Sequence, residues 1–216
     1  MSSQSNVDLE EQLDNFIIRK TKDARKPFET APLIAQNGQK IYNEIPLLVG
    51  DILNSSLVPN DAGVFTAHNL GTLSYRTCLV YGFVAGRGVH NKSFHKYIID
   101  DGSETMEISI PLRPKERKLI TTLHNEASVM STTVGCENIA LILQRLLSKA
   151  MAYIDGSTIL PGSNILLLGR PKLFRGQISL DVISFLIDNE RSRKLELAYN
   201  DCLIEFYQSQ NNSEKK

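Results

Sequence analysis

Alternation of apolar and polar positions becomes regular at Tyr75. Tyr75, Thr77, Leu79, Tyr81, Phe83 and Ala85 interleave with Arg76, Cys78, Val80, Gly82, Val84 and Gly86, which predicts one long strand over 75–86 whose glycines permit sharp coiling. His95 to Asp101 then meets the turn Asp101-Gly102-Ser103, and Thr105 to Ile110 follows with Met106, Ile108 and Ile110 on one face and Thr105, Glu107 and Ser109 on the other. A period of two on both sides of a glycine turn predicts a hairpin. From Pro111 to about Gly135 the chain is polar and basic, with room for a helical turn or more around Lys115 to Leu123. Between Glu137 and Ile154 the period lengthens: Ile139, Ile142, Leu143, Leu146, Leu147, Ala150, Met151 and Ile154 share a side opposite Gln144, Arg145, Ser148 and Lys149. That is a helix with one buried face. Two more strands, Asn164 to Gly169 and Gln177 to Ile187, are expected on either side of a loop over Arg170 to Gly176.

Three strands, a helix and two strands is the order of the OB-fold, a five-stranded, partly open Greek-key barrel. The expected class is mainly β with helices: one helix between strands three and four, plugging the bottom of the barrel, and another at the C-terminus. The predicted organisation is a flexible N-terminal segment over residues 1–40, the barrel over 41–187, a partner-binding helix over 188–208 and a tail over 209–216. Within Met1 to Lys26, Val7, Leu9, Leu13, Phe16 and Ile17 could line a short amphipathic helix, though a loosely ordered tail fits the composition better. Near the other end, Leu195, Ala198, Tyr199, Cys202, Leu203 and Phe206 form one helical stripe, widened by Leu197 and Ile204.

Charge changes this picture only when it is read locally. The 216 residues carry 24 Lys and Arg against 24 Asp and Glu, a balance that by itself points to neither nucleic acid nor membrane. From Gly71 to Leu180, however, 13 bases face 8 acids, so a neutral chain hides a basic barrel. No apolar run reaches the roughly 18 to 20 residues of a membrane span, and the polar, acidic start is unlike a secretory signal; the protein is read as intracellular. Cys78, Cys136 and Cys202 stand far apart, without disulfide or zinc spacing. No helical metal motif joins His68, His90, His95 and His124, no nucleophile elbow appears, and adjacent Asp100 and Asp101 point to opposite faces of a strand. Neither catalysis nor a cofactor is expected.

Certain segments, taken in order, are specific. Tyr75 to Gly86, then Tyr97-Ile98-Ile99-Asp100-Asp101-Gly102-Ser103, then Ile165 to Gly169 followed by Phe174-Arg175-Gly176, resemble the OB domain of the middle subunit of replication protein A and of the Stn subunit of the telomeric CST complex. Ile45 to Leu53 resembles the family's segment before the barrel, and Val64-Phe65 with Leu70 to Leu73 its lead-in to strand one. The likeness runs from about Ile45 to Phe206. A chain this short resembles a small telomere-capping member more than a Stn subunit with its added winged helices. The resemblance implies a non-enzymatic subunit of a single-stranded-DNA-binding, telomere-capping complex in the nucleus, at chromosome ends. It also implies a heterodimer with a smaller OB-fold subunit through the last helix, further telomere-capping partners and no membrane. Two alternatives remain: a scaffold that bridges proteins without touching DNA, and a subunit acting genome-wide like replication protein A.

Single-strand binding uses cations that follow phosphates and aromatic faces on which bases stack. Arg170, Lys172 and Arg175 bracket Phe174, which matches the family's base-stacking phenylalanine; the competing reading makes Phe174 a cap on the core. Arg87, Lys92 and Lys96 around the loop between strands one and two, and Arg113 after strand three, complete the expected DNA-binding set, with His95, Lys115, Arg117 and Lys118 nearby. Where relatives carry a tryptophan after strand three, this chain has Ile110-Pro111-Leu112 and no tryptophan at all. Affinity for DNA without partners is therefore expected to be weak. Leu195, Ala198, Tyr199, Cys202, Leu203 and Phe206 are the expected partner-binding residues.

Overall fold

The computed structural model describes residues 33–34, 40–59, 61–188 and 193–213. The amphipathic stretch at Val7 to Ile17 lies outside them. Short strands open the described chain: β1 (Leu33–Ile34), β2 (Lys40–Tyr42) and β3 (Ile45–Pro46), then a helix of five residues, α1 (Val49–Leu53), then β4 (Ser55–Leu57), β5 (Phe65–Ala67) and β6 (Leu73–Tyr75). Five of these strands make a sheet of order β1-β2-β6-β5-β4. Tyr75, expected to begin the long strand, thus ends β6 in this sheet, opposite Phe65. The chain crosses to the barrel at Arg76 and Thr77. There the Arg76 N–H donates to Tyr42 O at 3.0 Å, and Thr77 Oγ1 accepts from the Glu44 N–H at 2.8 Å.

The barrel itself is β7 (Cys78–His90), β8 (Phe94–Asp100), β9 (Thr105–Pro111), β10 (Asn164–Phe174) and β11 (Gln177–Asp188). Its order is β10-β11-β9-β8-β7, and β10 pairs again with β7 to close it. All of these pairings are antiparallel except β9 with β11. This is the OB-fold. Alternate residues point inward, so Val80, Val84, Tyr97, Ile99, Ile108, Leu167 and Leu180 are sealed from water; each such aliphatic side chain contributes about 1.5–3 kcal/mol.

Between β9 and β10 stand two helices rather than one: α2 (Pro114–Met130) and α3 (Glu137–Ile154). Pro114 fits the first turn of α2, where its missing N–H costs nothing. The stretch looked like a loop because its apolar residues are sparse, and only Ala127 is buried. Nor does α3 plug the barrel with the expected buried face: Ala140 is its buried residue, while Ile139, Leu143 and Leu146 are exposed. The C-terminal end of α3 and the turn after it plug the barrel instead: the Tyr97 hydroxyl donates to Gly156 O at 2.8 Å, and Ile159 is fully buried.

The turn at Asp101-Gly102-Ser103 does more than reverse the chain. Asp100 Oδ1 accepts from the Gly102 N–H at 2.8 Å, and Asp101 Oδ1 from the Ser103 N–H at 2.9 Å. Asp101 Oδ2 meanwhile accepts from Val49 N at 2.8 Å, and Ser103 Oγ from Gly50 N at 3.0 Å. Those are orphan donors at the start of α1, so the hairpin turn caps the pre-barrel segment.

The β10–β11 ladder shifts register between Leu168 and Gly169, where Ile183 of β11 is the extra residue. A Cβ on Gly169 would lie 2.5 Å from Leu180 Cγ, inside a packed core. Gly169→Ala is therefore expected to cost about 1–3 kcal/mol through overpacking, read as a lower urea midpoint with an unchanged m-value.

Candidate nucleic-acid interface

Outward positions on β8 and β9 make a continuous surface. Phe94, Lys96 and Ile98 stand opposite Pro111, Ser109 and Glu107, and six residue steps along β9 give it a length of about 20 Å. The loop between β7 and β8 borders its Pro111 end, where the Leu112 N–H donates to Ser93 O at 2.9 Å. The tip of the β10–β11 hairpin lies toward the Thr105 end, because β11 runs parallel to β9 with Leu180 beside Ile108.

That tip is not the expected loop. β10 continues through Arg170, Pro171, Lys172 and Leu173 to Phe174, paired with β11 down to Gln177. Proline is tolerated because β10 is paired with β7 only as far as Gly169, which leaves Pro171 on a strand with one open edge. Only Arg175 and Gly176 turn the chain, with φ of 51° and 80°, the two-residue geometry favoured in hairpins. An arginine held in the left-handed region is unusual strain at an exposed position. Its guanidinium sits 5.1 Å from the centre of the Phe174 ring. Phe174 is 60% exposed, so it does not cap the core. Arg170 and Lys172 are exposed on the same hairpin, and Lys172 Nζ lies 3.2 Å from Asp181 Oδ2, an exposed pair that holds weakly.

At the opposite end, Arg87 donates from Nε to His90 Nε2 at 3.0 Å. The His90 ring lies 4.3 Å from that of His95 and 5.0 Å from that of Tyr97. Burial, the Arg87 charge and His95 together hold His90 below its ordinary value. Asn91 Oδ1 ties the loop by accepting from the Ser93 and Phe94 amides at 2.8 and 2.9 Å, and Lys92 is exposed beside it. Lys96 is drawn across the face, 2.5 Å from Glu107 Oε1 and 5.7 Å from the centre of the Phe94 ring.

Arg113 does not join this group. Its guanidinium donates to Ile183 O and fastens the start of α2 to β11. Sequence reasoning passed over two aromatic positions here. Phe94 lies just before the expected strand, and Phe83, at a strand position of the kind where aromatics mostly pack, is 46% exposed on β7 opposite Asp100. Strand parity marks Phe94 as outward once β8 is seen to start there.

The last helix, α4 (Lys194–Ser213), turns much of its stripe onto its own barrel. Tyr199 is buried, donates to Leu47 O at 2.9 Å and stacks at 5.9 Å on Tyr81. The Tyr207 hydroxyl donates to Asp51 and accepts from the Leu48 N–H at 3.3 Å. Phe206 and Tyr207 pack against the core. Leu195, Cys202 and Leu203 are half-buried and Ala198 exposed, while Leu197 and Ile204 face away, 60% and 54% exposed. Among the described residues no group of three or more His, Cys, Asp or Glu is placed to hold a metal. Burial pushes the Cys78 thiol far up, so it is inert. No described helix is long and apolar enough to cross a membrane.

Comparison with known proteins places this geometry. Over 77% of this chain and 96% of the other, the structure resembles a chain of a replication protein A heterotrimer solved bound to ssDNA, with a TM-score of 0.50 and 13% identity, a likeness of fold. A chain of the S. pombe Stn1–Ten1 complex gives a TM-score of 0.44 at 14% identity, covering 76% of this chain and 96% of that one. In sequence, the protein verrocchio of Drosophila melanogaster is 36% identical over 204 residues, which are 94% of this chain and 92% of that protein. The family model described as telomere-capping protein Verrocchio matches residues 39–207. The chain belongs to the Verrocchio family of telomere-capping proteins.

Proposed function

We propose that this chain is a non-enzymatic subunit that holds single-stranded DNA at chromosome ends in the nucleus, in a heterodimer with a smaller OB-fold protein and alongside other capping proteins. The observation that carries this reading is the β10–β11 tip. An exposed phenylalanine sits among Arg170, Lys172 and Arg175 at one end of the β8–β9 face, where an OB barrel takes a strand. The replication protein A relative was solved with ssDNA bound, which supports the same use of the barrel here. The strand would run from Phe174 across Phe94 and Lys96 to Arg87 and Lys92. Arg113, tied to Ile183, is left out. The scaffold alternative draws on the α2–α3 pair, whose Leu119, Ile139 and Leu146 are exposed; the genome-wide alternative gains nothing from the site.

Phe174→Ala, assayed in the co-purified complex by anisotropy on single strands, is expected to weaken binding by about 1–3 kcal/mol, roughly 5- to 150-fold. Reversing Arg170, Lys172 and Arg175 to Glu should in addition flatten the dependence of affinity on salt. Unchanged binding in both variants would move the DNA elsewhere and favour the scaffold.

Acidity tests the far end of the track. His90 is held below the usual 6.5 of a histidine, so it is neutral at pH 7.5 and gains its charge only as pH falls below that value. Affinity for single strands should rise as pH drops from about 7.5 toward 5.5, and His90→Phe should remove the part of the rise that belongs to this ring.

For the partner, Leu197 and Ile204 offer the outward side of α4, flanked by half-buried Leu195, Cys202, Leu203 and Phe206. Leu197→Glu together with Ile204→Glu is expected to abolish co-elution with the smaller OB subunit while leaving the circular dichroism of the chain unchanged. Retained co-elution would assign the interface to another surface.

A further inference from the structure

We infer that the cleft between the barrel and the second sheet receives a short extended peptide from a partner protein, bound by strand addition. The cleft encloses about 610 Å³ between Thr105–Glu107 of β9, the β10–β11 tip at Leu173 and Gly176–Ile178, and Ser55–Leu57 of β4, with Leu53 and Phe65 behind. That is within the range of built binding sites, about 300–1,000 Å³.

Strand edges make the site. Pairing of β9 with β11 is confined to Ile108 with Leu180 and Ser109 with Asp181, so the two strands part toward Thr105 and Gln177. In the antiparallel β8–β9 ladder alternate peptides point away from β8, and Thr105–Glu107 of β9 lines the cleft. Among the described residues β4 is the edge strand of its sheet and pairs with β5 alone. Backbone donors and acceptors from three strands therefore border one space, the arrangement that an added strand completes.

The side chains select the occupant. Leu57 and Leu173 leave large apolar surfaces open at the rim, 42% and 46% exposed, and suit a segment that alternates apolar and polar residues. Glu107 is the one charged group in the lining and already has Lys96 at 2.5 Å. A phosphodiester strand meets no cation in this lining, whereas an uncharged peptide backbone matches it. Leu173 and Phe174 are successive residues of β10 and point to opposite sides, so the cleft is separate from the aromatic tip.

The test uses the full chain, amide hydrogen exchange, and acetyl-Thr-Val-Thr-Val-Thr-amide at millimolar concentration as the probe. Its analogue with alternate backbone nitrogens methylated keeps the side chains but loses the ladder donors. Within Thr105–Glu107 and Gln177–Ser179, exchange at the amides that point away from β8 and β10 should slow several-fold with the peptide and stay unchanged with the analogue. Leu173→Trp, at an exposed position of the lining, should fill the cleft and remove the effect at an unchanged melting temperature. Equal protection by both probes, protection by neither, or protection by oligothymidine alone would each overturn the inference. So would slow exchange, in the free chain, at the amides of those segments that point away from β8 and β10.

Discussion

One carboxylate, that of Asp101, holds three parts of the molecule in register. It closes the β8–β9 turn on Ser103 and accepts the first amide of α1. α1 in turn carries Asp51, which receives the Tyr207 hydroxyl, while Leu47 just before it receives that of Tyr199. Barrel hairpin, pre-barrel segment and terminal helix are thus linked by polar groups around an apolar centre of Leu47, Val49 and Ile52, all fully buried. Such groups cost about 1–3 kcal/mol each when left without partners, so the network works as a unit. Burial raises both tyrosines well above their ordinary values, which keeps them protonated donors throughout the physiological range. The orientation of α4, and with it the direction of Leu197 and Ile204, follows from this linkage.

The long-period elements were legible because their signals are redundant. Glu137 to Ile154 carries eight apolar residues on one side and is a helix with those bounds. The β8–β9 hairpin combines period-two alternation with an Asp-Gly turn and pairs as expected, Asp100 opposite Thr105. The second sheet was not legible, since strands of two or three residues contain too few positions to show a period. Pro171 hid the outer half of β10, because a proline reads as a break unless the open edge beside it is known. The breadth of the stripe on α4 favours a partner over folding back on the barrel, yet Tyr81, Leu47 and Asp51 take up Tyr199 and Tyr207. Those acceptors lie more than a hundred residues away in sequence, beyond any local pattern.

The same limit applies to the charges. Counting gave a basic barrel but could not say which cations are committed. Lys96 is held by Glu107, Lys172 by Asp181, Arg113 by a backbone carbonyl and Arg87 by His90. Pairing does not remove Lys96 or Lys172 from contact with phosphate, because both are exposed ion pairs of small worth. It does fix where their charge rests before any ligand arrives. Arg113 differs: its donation to Ile183 O ties β11 to the start of α2, and moving it to a phosphate would take that part-buried carbonyl's donor away.

Partner binding through α4 is constrained by area. Leu197 and Ile204 are seven residues apart, two turns along one side, and two aliphatic side chains cover far less than the roughly 800 Å² that each member of a stable pair usually contributes. A partner helix that reached only these two would be held weakly. To reach a standard interface the proposed partner would also have to cover the open parts of Leu195, Cys202 and Leu203. Those residues are half-buried because α4 rests on β3 and the core through Tyr199, Phe206 and Tyr207. The self-packing of the helix therefore does not compete with a partner. It leaves Leu197 and Ile204 exposed and Leu195, Cys202 and Leu203 partly open, the surface the proposed partner would have to cover.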